Sequence, residues 1–172
     1  MNTKTITRTA ILIALLVALQ YATSSLGQFV TGSCVNLVLA VAALFCGLWS
    51  GVIVAAVSPF FAFLLGIGPK FIALVPFIAL GNIVYVVILS LLGKKLEKLP
   101  ASLLSVLAAA VCKFLTLYLV IVHLVLPRLG LAEKQVTMMS TMFSWPQLVT
   151  AAIGGVLALL IVPQLKKAFK ER

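Results

Sequence analysis

The stretch ASLLSVLAAAVCKFLTLYLVIVHLVL, from Ala101 to Leu126, carries a single charged residue, Lys113. A run of roughly 20 predominantly apolar residues is long enough to cross the hydrocarbon core of a bilayer as a helix. A barrel strand would instead alternate apolar and polar residues over about ten positions. This run is continuous, so it reads as a transmembrane helix with an amine near its middle.

Working outward, five further apolar segments flank it: Ile6 to Leu26, Cys34 to Trp49, Val52 to Ile67, Phe71 to Leu92 and Ser144 to Val162. They account for most of the 172 residues, of which 63% are hydrophobic and 9% charged. Mean hydropathy is +1.27. A soluble domain averages roughly 45–50% apolar and about 25% charged residues. A soluble enzyme, a disordered chain and a disulfide-stapled secreted module are excluded. The reading is an all-α integral membrane protein, six transmembrane helices in a compact bundle, with residues 1–172 forming one domain. The second and third segments are short and separated only by Gly47 to Gly51, either a tight hairpin or one broken element. The first segment follows Lys4 and Arg8 but is too long for a cleaved signal, and more spans follow it.

The formal net charge of +10 comes from 13 Lys/Arg against 3 Asp/Glu. In this context basic residues set orientation rather than bind nucleic acid. With the amino terminus inside, Lys4, Arg8, Lys94, Lys95, Lys98, Lys166, Lys167, Lys170 and Arg172 are cytoplasmic, against Lys70, Arg128 and Lys134 outside. Both termini are therefore expected in the cytoplasm. Cys34, Cys46 and Cys112 lack paired spacing, so neither a metal site nor a disulfide framework is indicated. The longest loop, about Pro127 to Phe143, is on the outside, as a lid, a binding loop or a solvated connector.

Lys113 lies near the bilayer midplane, where an unpaired ammonium costs about 2.5–3.5 kcal/mol on insertion scales. The acids Glu97, Glu133 and Glu171 all fall in loops or a terminus, so none pairs with it inside the membrane. A ligand carboxylate is one partner; backbone carbonyls or snorkelling are the other solution. Thr116 and His123 follow at about the same helical face. His123 serves as a structural hydrogen-bonder or a ligand residue. Asn82 and Tyr85 share a face of the fourth segment, where Pro76 introduces a bend that frees backbone groups. Trp145 opens the sixth segment as an interfacial anchor or a stacking platform, followed by Gln147 and Thr150. Asn36 lies near the outer end of the second segment. Polar groups thus concentrate from the midplane outward, as for a pocket open to the outside. The candidate substrate-binding set is Asn36, Asn82, Tyr85, Lys113, Thr116, His123, Trp145 and Gln147.

Ala10, Ala14, Ala18 and Ala22 stand four apart along the first helix. Such a ridge of small residues permits close helix approach in lipid, either within the bundle or against a partner. No nucleotide-binding, HExxH or GxSxG motif is present, so the chain is not expected to be an enzyme or to need a cofactor.

In size, six helices, cytoplasmic termini, basic ends and the TAILIALLVA element of Thr9 to Ala18, the chain resembles the S components of energy-coupling factor (ECF) transporters, which import vitamins into prokaryotes. The stretch PFIALGNIVY, Pro76 to Tyr85, is similar to the fourth helix of some members. The resemblance implies a substrate-binding subunit in the plasma membrane of a prokaryote. It captures a vitamin or related micronutrient from outside, beneath a cap formed by the first loop, here Gln28 to Ser33. It then docks through Ala10, Ala14 and Ala18 on a transmembrane coupling subunit driven by two ATPases, and topples to release the ligand inward. Lys113 tilts the expected ligand toward an anion; Trp145 and Tyr85 tilt it toward a ring. The alternative is a stand-alone small secondary transporter or channel, which would move solute in vesicles unaided. The scarcity of intramembrane acids argues against proton coupling. An intramembrane enzyme built on His123 lacks an orienting acid.

Overall fold

In lipid a backbone must satisfy its own hydrogen bonds, which apolar runs of this length do by forming helices. A computed structural model describes residues 3–93 and 99–170. The element order is α1 (Thr3–Thr23), α2 (Gln28–Val41), α3 (Leu48–Leu64), α4 (Val75–Gly93), α5 (Leu99–Leu117), α6 (Glu133–Met142) and α7 (Trp145–Lys170). A π-helical segment, Ala42–Cys46, prolongs α2, and another, Tyr118–Val125, prolongs α5. Five helical stretches are long and apolar enough to cross a membrane, and Leu48–Leu64 adds a shorter sixth. The expected six-helix membrane bundle is therefore present, with no strand among the described residues. Lys94, Lys95, Glu97, Lys98, Glu171 and Arg172 lie outside the described residues.

An even number of crossings returns the chain to the end where it began. There the Arg8 guanidinium packs over the rings of Phe45, 4.9 Å to the centroid, and Phe169, 4.7 Å, a cation–π wedge between the foot of α1 and the ends of α2 and α7. One residue on, the Thr9 hydroxyl donates to Ser50 Oγ of α3 at 2.9 Å. The central core is Leu16, Leu39, Val54, Val86, Leu89 and Val106, all buried. A second cluster, Leu74, Leu117, Ile121, Leu126, Met139 and Phe143, seats α6 against the far end of α5.

α7 approaches its neighbours closely because two glycines leave room. A Cβ on Gly154 would lie 2.5 Å from the Leu37 backbone nitrogen. One on Gly155 would lie 2.5 Å from Val106 Cγ1 and 2.8 Å from the Tyr85 hydroxyl.

Three expectations are corrected and one open alternative is resolved. The second segment begins at Gln28, not Cys34: Gln28 to Ser33, read as a flexible cap loop, are the first turns of α2. Only Gly27, at φ +84°, breaks the chain there, and Gly32 is helical because its bare face packs on Thr150. The loop from Pro127 to Phe143 contains α6, whose polar face hides its helical character from a hydropathy reading. Pro76 sits in the first turn of α4, where a missing N–H costs nothing and no bend results. The proline inside a helix near the cavity is Pro59 of α3. Gly47 alone separates the second and third membrane helices, so the tight-hairpin reading is the one the chain adopts.

Candidate functional site

Pro59 has no N–H to offer the carbonyl one turn back, that of Ala55. The Ser58 hydroxyl donates to that carbonyl instead, at 3.4 Å. Its oxygen then accepts from Asn82 Nδ2 at 3.4 Å. Asn82 is thereby turned so that Oδ1 accepts from Lys113 Nζ, at 2.7 Å. On the other side Asn36 Nδ2 donates to the Gly32 carbonyl at 2.9 Å and to Thr150 Oγ1 at 3.3 Å, and its Oδ1 accepts from Lys113 Nζ at 2.6 Å. A lysine has three protons and no acceptor, so both carboxamides must present oxygen to it. Two protons are spent on neutral oxygens and one is left.

Lys113 is 3% exposed. The Tyr85 ring stands 5.6 Å from Nζ, and its hydroxyl donates to the Ala151 carbonyl of α7 at 2.8 Å. Burying an ammonium among neutral groups is costly, and the amide oxygens offset this only in part.

Above this floor is a cavity of about 380 Å³ at the end of the bundle away from Arg8 and Phe169. Lys113, Asn36, Asn82 and Ser58 are at its base. Val35, Phe63, Ile78 and Phe143 give it apolar walls, and exposed Ser24, Gly27 and Gly68 form its rim. Gln28 Nε2, at 2.6 Å, and Gln147 Nε2, at 3.1 Å, both donate to the Met142 carbonyl, tying the starts of α2 and α7 to the end of α6. Among the described residues no group of His, Cys, Asp and Glu could hold a metal, and no carboxylate lines the cavity.

The structure brings together four of the eight expected binding residues: Asn36, Asn82, Lys113 and Gln147 line the cavity. The other four do not. Tyr85 is wholly buried behind Lys113 and supports it. Thr116 returns its hydroxyl to the Cys112 carbonyl of its own helix, 2.8 Å away. His123 is exposed, edge-on to Tyr118 with ring centroids 4.8 Å apart. The π-helical segment Tyr118–Val125 carries more residues per turn than an α-helix, so the face shared with Lys113 is lost along it. Trp145 is 57% exposed and packs on Phe29, centroids 5.6 Å apart. Absent from the expected set are Gln20, Ser58 and Pro59, all on the cavity wall, where Gln28 and Thr31 of the expected cap stand too.

Ala10, Ala14 and Ala18 are exposed on α1, beside exposed Ile11 and Leu15, while Leu12, Leu16 and Gln20 turn inward. The small-residue ridge therefore faces away from the bundle rather than packing within it.

The family model described as the ECF transporter substrate-specific component matches residues 4–165, nearly the whole chain. No curated protein and no solved structure matches it.

Proposed function

We propose a ligand class and a transport route on one premise: this chain belongs to the family of substrate-specific components of ECF transporters. Members of that family are membrane-embedded transport subunits that bind a small-molecule substrate and work with the components of an ECF module. The proposed function is capture of a small anionic micronutrient of the vitamin class, bound from outside a prokaryotic plasma membrane. Its carboxylate meets the remaining proton of Lys113.

The observation that carries this reading is the company Lys113 keeps. Its amine is buried at the base of a cavity, bonded only to neutral oxygens. A carboxylate arriving there supplies the missing charge without any rearrangement of Asn36 or Asn82. The apolar walls suit a ligand whose body is hydrophobic or planar. Delivery falls to an ATP-driven module of a transmembrane coupling subunit and two ATPases, engaged through the outward ridge of Ala10, Ala14 and Ala18. Both termini are cytoplasmic in this reading, and the cavity faces out.

The test is equilibrium binding by the purified chain of carboxylate vitamins and their neutral amides, for example nicotinate against nicotinamide and biotin against biotinamide. The acid of at least one pair is expected to bind more than tenfold tighter, about 1.4 kcal/mol. Equal affinity for acid and amide in every pair overturns the anionic reading.

A further inference from the structure

Gln20 is a polar residue of α1 without an assigned purpose. It is 6% exposed and lines the cavity, and its Oε1 is buried with no hydrogen-bond partner. Nearly every buried polar atom in a folded protein is paired, so an orphan acceptor on a cavity wall marks a missing donor. None of the neighbouring amides donates to it. Gln28 and Gln147 donate to Met142, and Asn36 and Asn82 donate to Gly32, Thr150 and Ser58.

Depth locates the missing donor. Gln20 lies seven residues before the Gly27 break and Asn36 nine residues after it. In an antiparallel pair of helices rising about 1.5 Å per residue, the two stand within about one turn of the same level. Gln20 therefore stands at the same level of the cavity as Lys113 and Asn36, below its rim. The last torsion of a glutamine side chain is broad, so the carboxamide turns toward a ligand at little cost.

We infer that Gln20 is a specificity-determining residue that accepts a hydrogen bond from an N–H or O–H on the ligand, within a few ångströms of the group held by Lys113. This rests on the anionic-nutrient reading above and narrows it. The ligand carries a donor near its anionic end or along the adjoining body, and a carboxylate on an otherwise donor-free apolar body is discriminated against. Binding that leaves a buried acceptor unpaired is penalised, whereas binding that pairs it is not.

The experiment uses the purified full chain with four carboxylate probes: orotate and pantothenate, which carry an N–H donor close to the carboxylate, and lipoate and nicotinate, which carry none. Affinities are measured for the parent chain and for Gln20→Met, which keeps the length of the side chain and removes its polarity. A donor-bearing probe is expected to bind roughly tenfold or more tighter than both donor-free probes, with Gln20→Met erasing that difference. The melting temperature of unliganded Gln20→Met is expected to equal or exceed that of the parent, because an unpaired buried acceptor has been removed. A merely structural glutamine would lower it. Donor-free probes binding as tightly as donor-bearing ones, or an unchanged preference in Gln20→Met, overturns the role of Gln20 and leaves the anionic reading standing. Binding of none of the four overturns the anionic reading and the inference with it.

Discussion

Lys113 Nζ and Asn36 Oδ1 are 2.6 Å apart, a buried bond that joins α5 to α2 at the base of the cavity. With the bond to Asn82 it ties three membrane helices through one amine. Two opposing terms then decide what Lys113→Met does. It removes a buried amine, whose charged form costs about 2.5–3.5 kcal/mol in a helix centre. It also orphans two amide oxygens at about 1–3 kcal/mol each. The expected net change in unfolding free energy is within about 2 kcal/mol, while affinity for a carboxylate ligand falls at least tenfold. Thermal unfolding and calorimetric binding of the same variant check both halves.

Asn82→Leu acts differently. It leaves Lys113 in place and removes one of its two oxygens. Loss of a hydrogen bond to a charged group costs about 1.5–3 kcal/mol, so this variant should be less stable than Lys113→Met. The double variant should recover part of the loss. A double-mutant cycle with additive effects would show that the two side chains are not coupled.

Tyr85→Phe keeps the ring beside Lys113 and deletes the bond to the Ala151 carbonyl. A stability loss of about 1 kcal/mol is expected, with ligand affinity changed less than threefold. His123→Ala and Trp145→Ala should also leave affinity within that margin, because both side chains lie off the cavity. A tenfold loss in any of the three would restore that residue to the binding set.

Leucine at Ala14 or Ala18 projects into open space on the outer face of α1. Folding and ligand binding of the purified chain should be unchanged. Uptake by cells expressing the complete transporter should fall by more than tenfold, since the ridge no longer permits close approach. Uptake at the parent rate would remove the docking role of the ridge.

Gly154→Ala tests the approach of α7 to α2. In an open helix this change stabilises by about 1 kcal/mol. Here the new carbon meets the backbone of Leu37 at 2.5 Å. Backbone cannot yield as a side-chain end does, so a net destabilisation of about 1–3 kcal/mol is expected. A raised melting temperature would contradict the close packing.

Lys113, Asn36 and Asn82 are legible in the sequence because lipid makes any polar side chain within an apolar run conspicuous. Gln20 escapes because one polar side chain toward the outer end of an apolar run does not show which way it turns, and Gln28 is legible only as part of a cap; packing places both on the cavity wall. Ser58 escapes because its role depends on a carbonyl released by Pro59, a backbone effect three residues long. Tyr85 shares a helical face with Asn82, as its spacing requires, yet lies behind the lysine instead of in the cavity; periodicity gives direction but not depth. His123 is misplaced by a π-helical stretch that no residue in it announces. The six membrane helices are legible from hydropathy alone, whereas α6 owes its position to Met139 and Phe143 meeting the end of α5.

The wedge of Arg8 between Phe45 and Phe169 fixes the foot of α1 to two other helices, and Thr9 adds a third anchor on α3. One side of that rod bears the alanines and the opposite side bears Gln20. A partner seated on the alanines would thus touch the same helix that walls the cavity, at a height where its foot is already pinned to three neighbours.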